Sequence, residues 1–245
     1  MSKKNFSLLR LAAFLTVFLA PLMAFADEVA ENAEGAEEAA AESVNLIDLI
    51  FVKGGAFMYP IVLLSFYMVY LIIDAILVIR KKKLMPDETV KYLRENFHKD
   101  KVEECDKYCQ EHPCALTVVV GHAITAEKKG KGPLGMQEAV VEYGGRLAND
   151  LRARVAYLNT VATISPMLGL LGTVSGMIKA FSNIGASGVG KASALANNIS
   201  EALITTAGGL VVAIPALAAF FFFRNRITET MVAVEDEIGE LIEQY

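Results

Sequence analysis

The sequence predicts an all-α membrane protein. Three transmembrane helices with long helical extensions on the inner side follow an N-terminal signal peptide. Three observations predict this class. Of 245 residues, 54% are hydrophobic, and the mean hydropathy is +0.41, high for a soluble chain. Three apolar runs are each long enough to cross a bilayer, which takes roughly 20 residues. Lys and Arg gather at the ends of those runs, and no alternation of period two marks a strand.

Residues 1–26 read as the signal peptide. Lys3, Lys4 and Arg10 flank the apolar stretch Leu11 to Ala20, and Ala24, Phe25 and Ala26 form a small-x-small cleavage site. The stretch is short for an uncleaved anchor helix. Residues 27–55 read as an acidic outer tail followed by an interfacial helix. Asp27 to Ser43 carries seven acids and no Lys or Arg, so it cannot bury a core. Val44 to Val52 is apolar but too short to span. Residues 56–79 are the first transmembrane helix, with Asp74 near its inner end. That acid is expected to snorkel or to pair with Arg80, Lys81, Lys82 and Lys83 just beyond it.

Residues 80–156 read as a helical region on the inner side. A helix starts at Pro86 to Thr89, with proline first and acids in the first turn. A second covers Ala115 to Glu127. A Gly- and Lys-rich loop is expected at Lys128 to Gly135, then a long helix from Met136 that runs unbroken into the second transmembrane helix, residues 157–181. An outer loop (182–196), a third transmembrane helix (197–223) and an inner tail (224–245) complete the chain. The clusters at Arg80 to Lys83, Arg146 to Arg154 and Arg224 to Arg226 agree on one orientation, N-terminus out and C-terminus in.

Little in the polar part suggests chemistry. Cys105, Cys109, His112 and Cys114 offer four potential metal donors, but within ten residues, where zinc sites use two separated pairs. Cys105 and Cys109 share a helix face and read as packing residues; no metal or cofactor is expected. There is no Gly-rich phosphate loop, no nucleophile elbow and no basic surface for nucleic acid, so an enzyme or a nucleic-acid binder is not indicated.

The second and third runs are different. The second holds Ser165, Pro166, Gly169, Gly172, Thr173 and Gly176. The third holds Glu201, Thr205, Thr206, Gly208, Gly209 and Pro215. Glycines four apart let helices approach closely, and the prolines remove backbone donors and bend their helices. Bulk at Gly176 is expected to disturb assembly. Thr205 is expected to bond back to its own helix. Lipid offers a carboxylate no partner, so Glu201 points to a bundle interior or a water-filled path. That is also what speaks against a non-conducting scaffold.

The runs SPMLGLLGTVSGMIKAF (165–181) and ISEALITTAGGLVVAIPA (199–216) closely resemble the MotA/TolQ/ExbB proton channel family. The resemblance is strong from about Arg146 to Arg226 and extends in layout over the first span and the inner region. It implies a multi-pass subunit of the bacterial inner membrane, with a periplasmic N-terminus and a cytoplasmic C-terminus. It also implies a homo-oligomer, a pentamer around two single-span partner helices of the ExbD/TolR/MotB type, driven by the proton-motive force. The partner helix supplies the Asp that takes and releases the proton. Thr173 and Thr206 match the threonines that line the cavity, Glu201 matches the Glu of the Ser-Glu-Ala-Leu motif, and Pro166 and Pro215 match the span prolines. Many members have Glu-Arg where this chain has Asp74 and Ala75. A flagellar stator of the MotA type has four spans, the first two close together. The layout here looks more like an ExbB-type subunit energising TonB-dependent transport through a TonB-like transducer; a TolQ-type envelope-maintenance role is the alternative.

Overall fold

The computed structural model describes residues 55–187 and 192–245. The expected signal peptide, acidic tail and interfacial helix lie outside the described residues. So does the middle of the expected 182–196 loop. Helix α1 covers Met58–Val78, α2 Lys81–Leu84, α3 Asp87–Asn96, α4 Val102–Glu111, α5 Ala115–Lys128, α6 Gly132–Ser187 and α7 Ala192–Gln244. A 3-10 turn at Lys99–Lys101 joins α3 to α4. Among the described residues there is no strand.

Among the described residues, three helices are long and apolar enough to cross a membrane: α1, and stretches of α6 and α7. The 56 residues of α6 correspond to roughly 84 Å of helical rise and the 53 of α7 to roughly 80 Å. A bilayer's hydrocarbon core is only about 30 Å thick. Both helices therefore continue well past any membrane, as expected for α6. Two boundaries need correction. The Gly/Lys loop is only residues 129–131, because the helix restarts at Gly132. Gly130 and Gly132, at φ +74° and +64°, make that tight reversal. The long helix α6 runs to Ser187 and α7 starts at Ala192, so both ends of the expected 182–196 loop are helical. Residues 224–244, the expected inner tail, are helical as well. Ile227, Met231, Val234, Ile238 and Leu241 recur every three or four residues, an apolar stripe that demands a partner surface.

The described residues form two compact units, residues 55–63 with most of 164–215 and residues 64–163 with 216–245. The chain passes from one to the other close to Pro166 in α6 and at Pro215 in α7. Each proline lacks the amide that would bond the carbonyl four residues back, so the helical ladder is weakest there.

In the second unit α3, α4 and α5 pack on the first turns of α6 and the last turns of α7. Leu93, Leu116, Ile124, Met136 and Ile238 are fully buried in that core. Arg94 fastens its edge, with Nε 2.6 Å from Glu237 and Nη2 2.8 Å from Glu240. Cys105 and Cys109 lie inside the core, and burial pushes the Cys109 thiol up to about 12. Cys114 caps α5: its backbone N–H donates to Thr117 Oγ1 at 2.8 Å, and its sulfur accepts from the Thr117 N–H at 3.5 Å. The His112 ring stacks on Tyr108, 4.4 Å between centroids. The four potential donors thus serve a core, a cap and a stack. Asp74 shares a cleft of about 10 Å³ with Arg154 of α6, lined also by Leu71, Val78 and Leu151. It thus stands beside an arginine of α6.

Candidate functional site

The first unit holds the polar hairpin. Gly169 faces Thr206, Gly172 faces Thr205 and Gly176 faces Ala202, so α6 and α7 run antiparallel. The seam leaves no room for side chains on the glycines. A Cβ on Gly169 would lie 3.0 Å from the Thr206 Cα, one on Gly172 2.5 Å from the Thr205 Cγ2, and one on Gly176 2.7 Å from the Ala202 Cβ. On Gly209 it would lie 2.5 Å from the Ser165 carbonyl oxygen, against backbone that cannot swing aside. The close contact of Gly176 is with the same chain's α7, so bulk there acts first on the subunit itself.

The polar residues leave this seam on two flanks. On the first, Thr206 Oγ1 donates to the Gly169 carbonyl at 3.0 Å, bridging the helices. Thr173, one turn along α6 from Gly169, donates to the Leu170 carbonyl at 2.6 Å. Beside them Leu170 is 62% exposed and Leu210 46%, so nothing among the described residues covers this flank. Thr205, inside the seam, donates to the Glu201 carbonyl at 2.8 Å, the back-bond expected of it.

On the second flank the Lys179 ammonium stands 3.0 Å from Glu201 Oε1. The start of α1 lies against the same side. Met58 is buried and reaches Gly208, where a Cβ would lie 2.9 Å from the Met58 Cε. Gly55, at φ +66°, leaves the space that Glu201 Oε1 fills; a Cβ there would lie 2.0 Å from that oxygen. The separation follows from helical geometry. Glu201 and Thr206 are five residues apart, about 140° around α7, and Thr173 and Lys179 are six apart, about 120° around α6.

The structure therefore brings Thr173 and Thr206 together, and sets Glu201 apart from them with Lys179 and Gly55. Lys179 was missed from the sequence, although a signal was present. Lys179 and Glu201 stand eleven residues on either side of residue 190, midway between the two apolar runs, and an antiparallel hairpin brings such positions level.

The profile of the MotA/TolQ/ExbB proton channel family matches residues 97–236, more than half of the chain and the whole hairpin. The chain belongs to that family. A Synechocystis protein named biopolymer transport protein ExbB-like 1 is 32% identical over 179 residues, 69% of this chain and 67% of that one. ExbB of Xanthomonas campestris is 43% identical over 100 residues, 41% of this chain and 39% of its own. TolQ of Haemophilus influenzae is 39% identical over 100 residues, 41% of this chain and 42% of its own. The chain thus matches only about two fifths of the length of the latter two. Membership of this family, with three apolar helices of membrane-crossing length, makes it a membrane protein of a proton-channel family.

Proposed function

We propose that this protein is an ExbB-like subunit of a motor in the bacterial inner membrane, driven by the proton-motive force, that energises TonB-dependent transport across the outer membrane. The names of the Synechocystis and Xanthomonas relatives support the ExbB reading. The TolQ relative supports a second one, a motor for envelope maintenance. In either, the subunit forms a homo-oligomer, a pentamer by family resemblance, around an ExbD- or TolR-like single-span partner, amid membrane lipid. A TonB-like transducer carries the motion outward in the first reading. The N-terminus is periplasmic and the C-terminus cytoplasmic, following the basic clusters. No cofactor, metal or nucleic acid takes part.

The observation that carries the proposal is the uncovered flank with Thr173 and Thr206. Each hydroxyl proton is engaged by a main-chain carbonyl, at Leu170 and Gly169. Each hydroxyl oxygen keeps lone pairs toward the flank, so both accept a hydrogen bond there. A protonated, neutral acid on the partner helix is a donor and is met by these acceptors. Once ionised it needs donors, and the hydroxyls supply them by rotating away from their carbonyls. Neither threonine carries a fixed charge that would trap the ion. Moving one charge through 100 mV releases about 2.3 kcal/mol, so a barrier of similar size stalls the cycle.

Thr173→Val and Thr206→Val together keep shape and remove both hydroxyls. Uptake driven by the proton-motive force, in a strain lacking the native subunit, is expected to fail while protein level stays normal. Thr205→Val, inside the seam, is expected to retain most uptake. Full uptake by the double variant rules out the two hydroxyls as the path.

A further inference from the structure

A carboxylate and an ammonium within the apolar hairpin are costly unless they neutralise each other, and here they do, at 3.0 Å. The Lys179 side chain is 51% exposed and Glu201 27%. In water such a pair contributes little to stability. Two further features raise its importance here. The Glu201 carboxylate fills the space left by Gly55, directly before α1, and two turns further along α7 Gly208 continues the packing, against Met58 of α1. The pair therefore sits where the first span meets the hairpin. It also lies on the flank that α1 covers, away from Thr173 and Thr206.

We infer that Lys179 and Glu201 form a charge-neutral clasp that fastens the start of the first span to the hairpin, and that Glu201 is not a proton carrier. Lys179 acts as a positioning residue, holding the carboxylate over Gly55. The clasp stands on its own geometry; only the exclusion of Glu201 from proton transfer rests on the proposed threonine route.

A clasp and a carrier respond differently to removal of both charges. Removing one partner leaves the other charge unpaired in an apolar setting, so Glu201→Gln and Lys179→Met should each lower the yield of folded subunit and its melting temperature in detergent, and with them uptake. The double variant Lys179→Met, Glu201→Gln leaves no unpaired charge and is expected to regain both stability and uptake. The exchanged pair Lys179→Glu, Glu201→Lys should regain them too, since the attraction is kept. A double variant that is stable but inactive, beside an equally inactive exchanged pair, makes Glu201 a carrier and overturns the inference. A double variant no more stable than the singles, or singles as stable as the parent, removes the clasp. The Thr173→Val, Thr206→Val variant, run alongside, keeps the two proposals apart. Its full activity refutes the threonine route and leaves the stability comparison of the charged pair untouched.

Discussion

On one flank of the α6–α7 hairpin, Glu201 meets a full opposite charge at 3.0 Å and lies against the chain's own first helix. On the other, Thr173 and Thr206 spend their protons on helix carbonyls and face outward beside exposed Leu170 and Leu210. Both flanks place polar atoms in an apolar setting, and they settle them differently. An ion pair fixes its partners, because separating them exposes two unpaired charges. A hydroxyl bonded to a carbonyl is neutral and rotatable, able to change partners at small cost. In the proposed reading, the difference separates holding the subunit together from letting a proton pass.

The seam between the flanks offers the most severe way to break the comparison. Gly209→Val drives a branched side chain into the Ser165 carbonyl, 2.5 Å from the Cβ position. A loss of about 3 kcal/mol is expected, the upper part of the overpacking range. Thermal melting of the purified subunit in detergent reads it. Both flanks should fail together, with the Lys179–Glu201 pair and the Thr206–Gly169 bond lost at once. Activity retained with an unchanged melting temperature would mean the helices do not meet at this position.

A milder change acts on the covered flank alone. Gly55→Ala adds a Cβ at φ +66°, where an L side chain costs roughly 1–2 kcal/mol, and sets it 2.0 Å from Glu201 Oε1. The carboxylate is the end of a flexible side chain and can retreat, so the expected result is a modest fall in melting temperature with the hydroxyl flank intact. In the Lys179→Met, Glu201→Gln background the collision is with a neutral amide, and the same substitution should be tolerated better. Equal losses in both backgrounds would show that backbone strain, and not contact with Glu201, governs this site.

Much of this arrangement was legible in the chain, because its causes are local or periodic. The membrane helices are long apolar runs, α3 starts where Pro86, Asp87 and Glu88 announce it, and α6 runs through Gly144 and Gly145 as expected. The glycines at 169, 172 and 176 told of a close approach, but not that their partner is the same chain, which depends on how the turn pairs residues. The apolar stripe Ile227, Met231, Val234, Ile238 and Leu241 in the inner tail recurs at helical spacing, but its partner surface is remote in sequence. What the chain could not show directly was the division into flanks. Glu201, Thr205 and Thr206 sit in one short motif, yet a helix sends three such neighbours in three directions: one to Lys179, one into the seam and one to Gly169. Lys179 gains its partner only because the hairpin places it level with Glu201.

The most direct measurement of the central claim is site-directed photocrosslinking in native membranes. A photoreactive amino acid is placed at Leu170 or Leu210 on the hydroxyl flank, or at Lys179 on the covered flank, and adducts to a single-span partner are sought. Adducts are expected from Leu170 and Leu210 and none from Lys179. Adducts from Lys179 with none from the hydroxyl flank would contradict the claim.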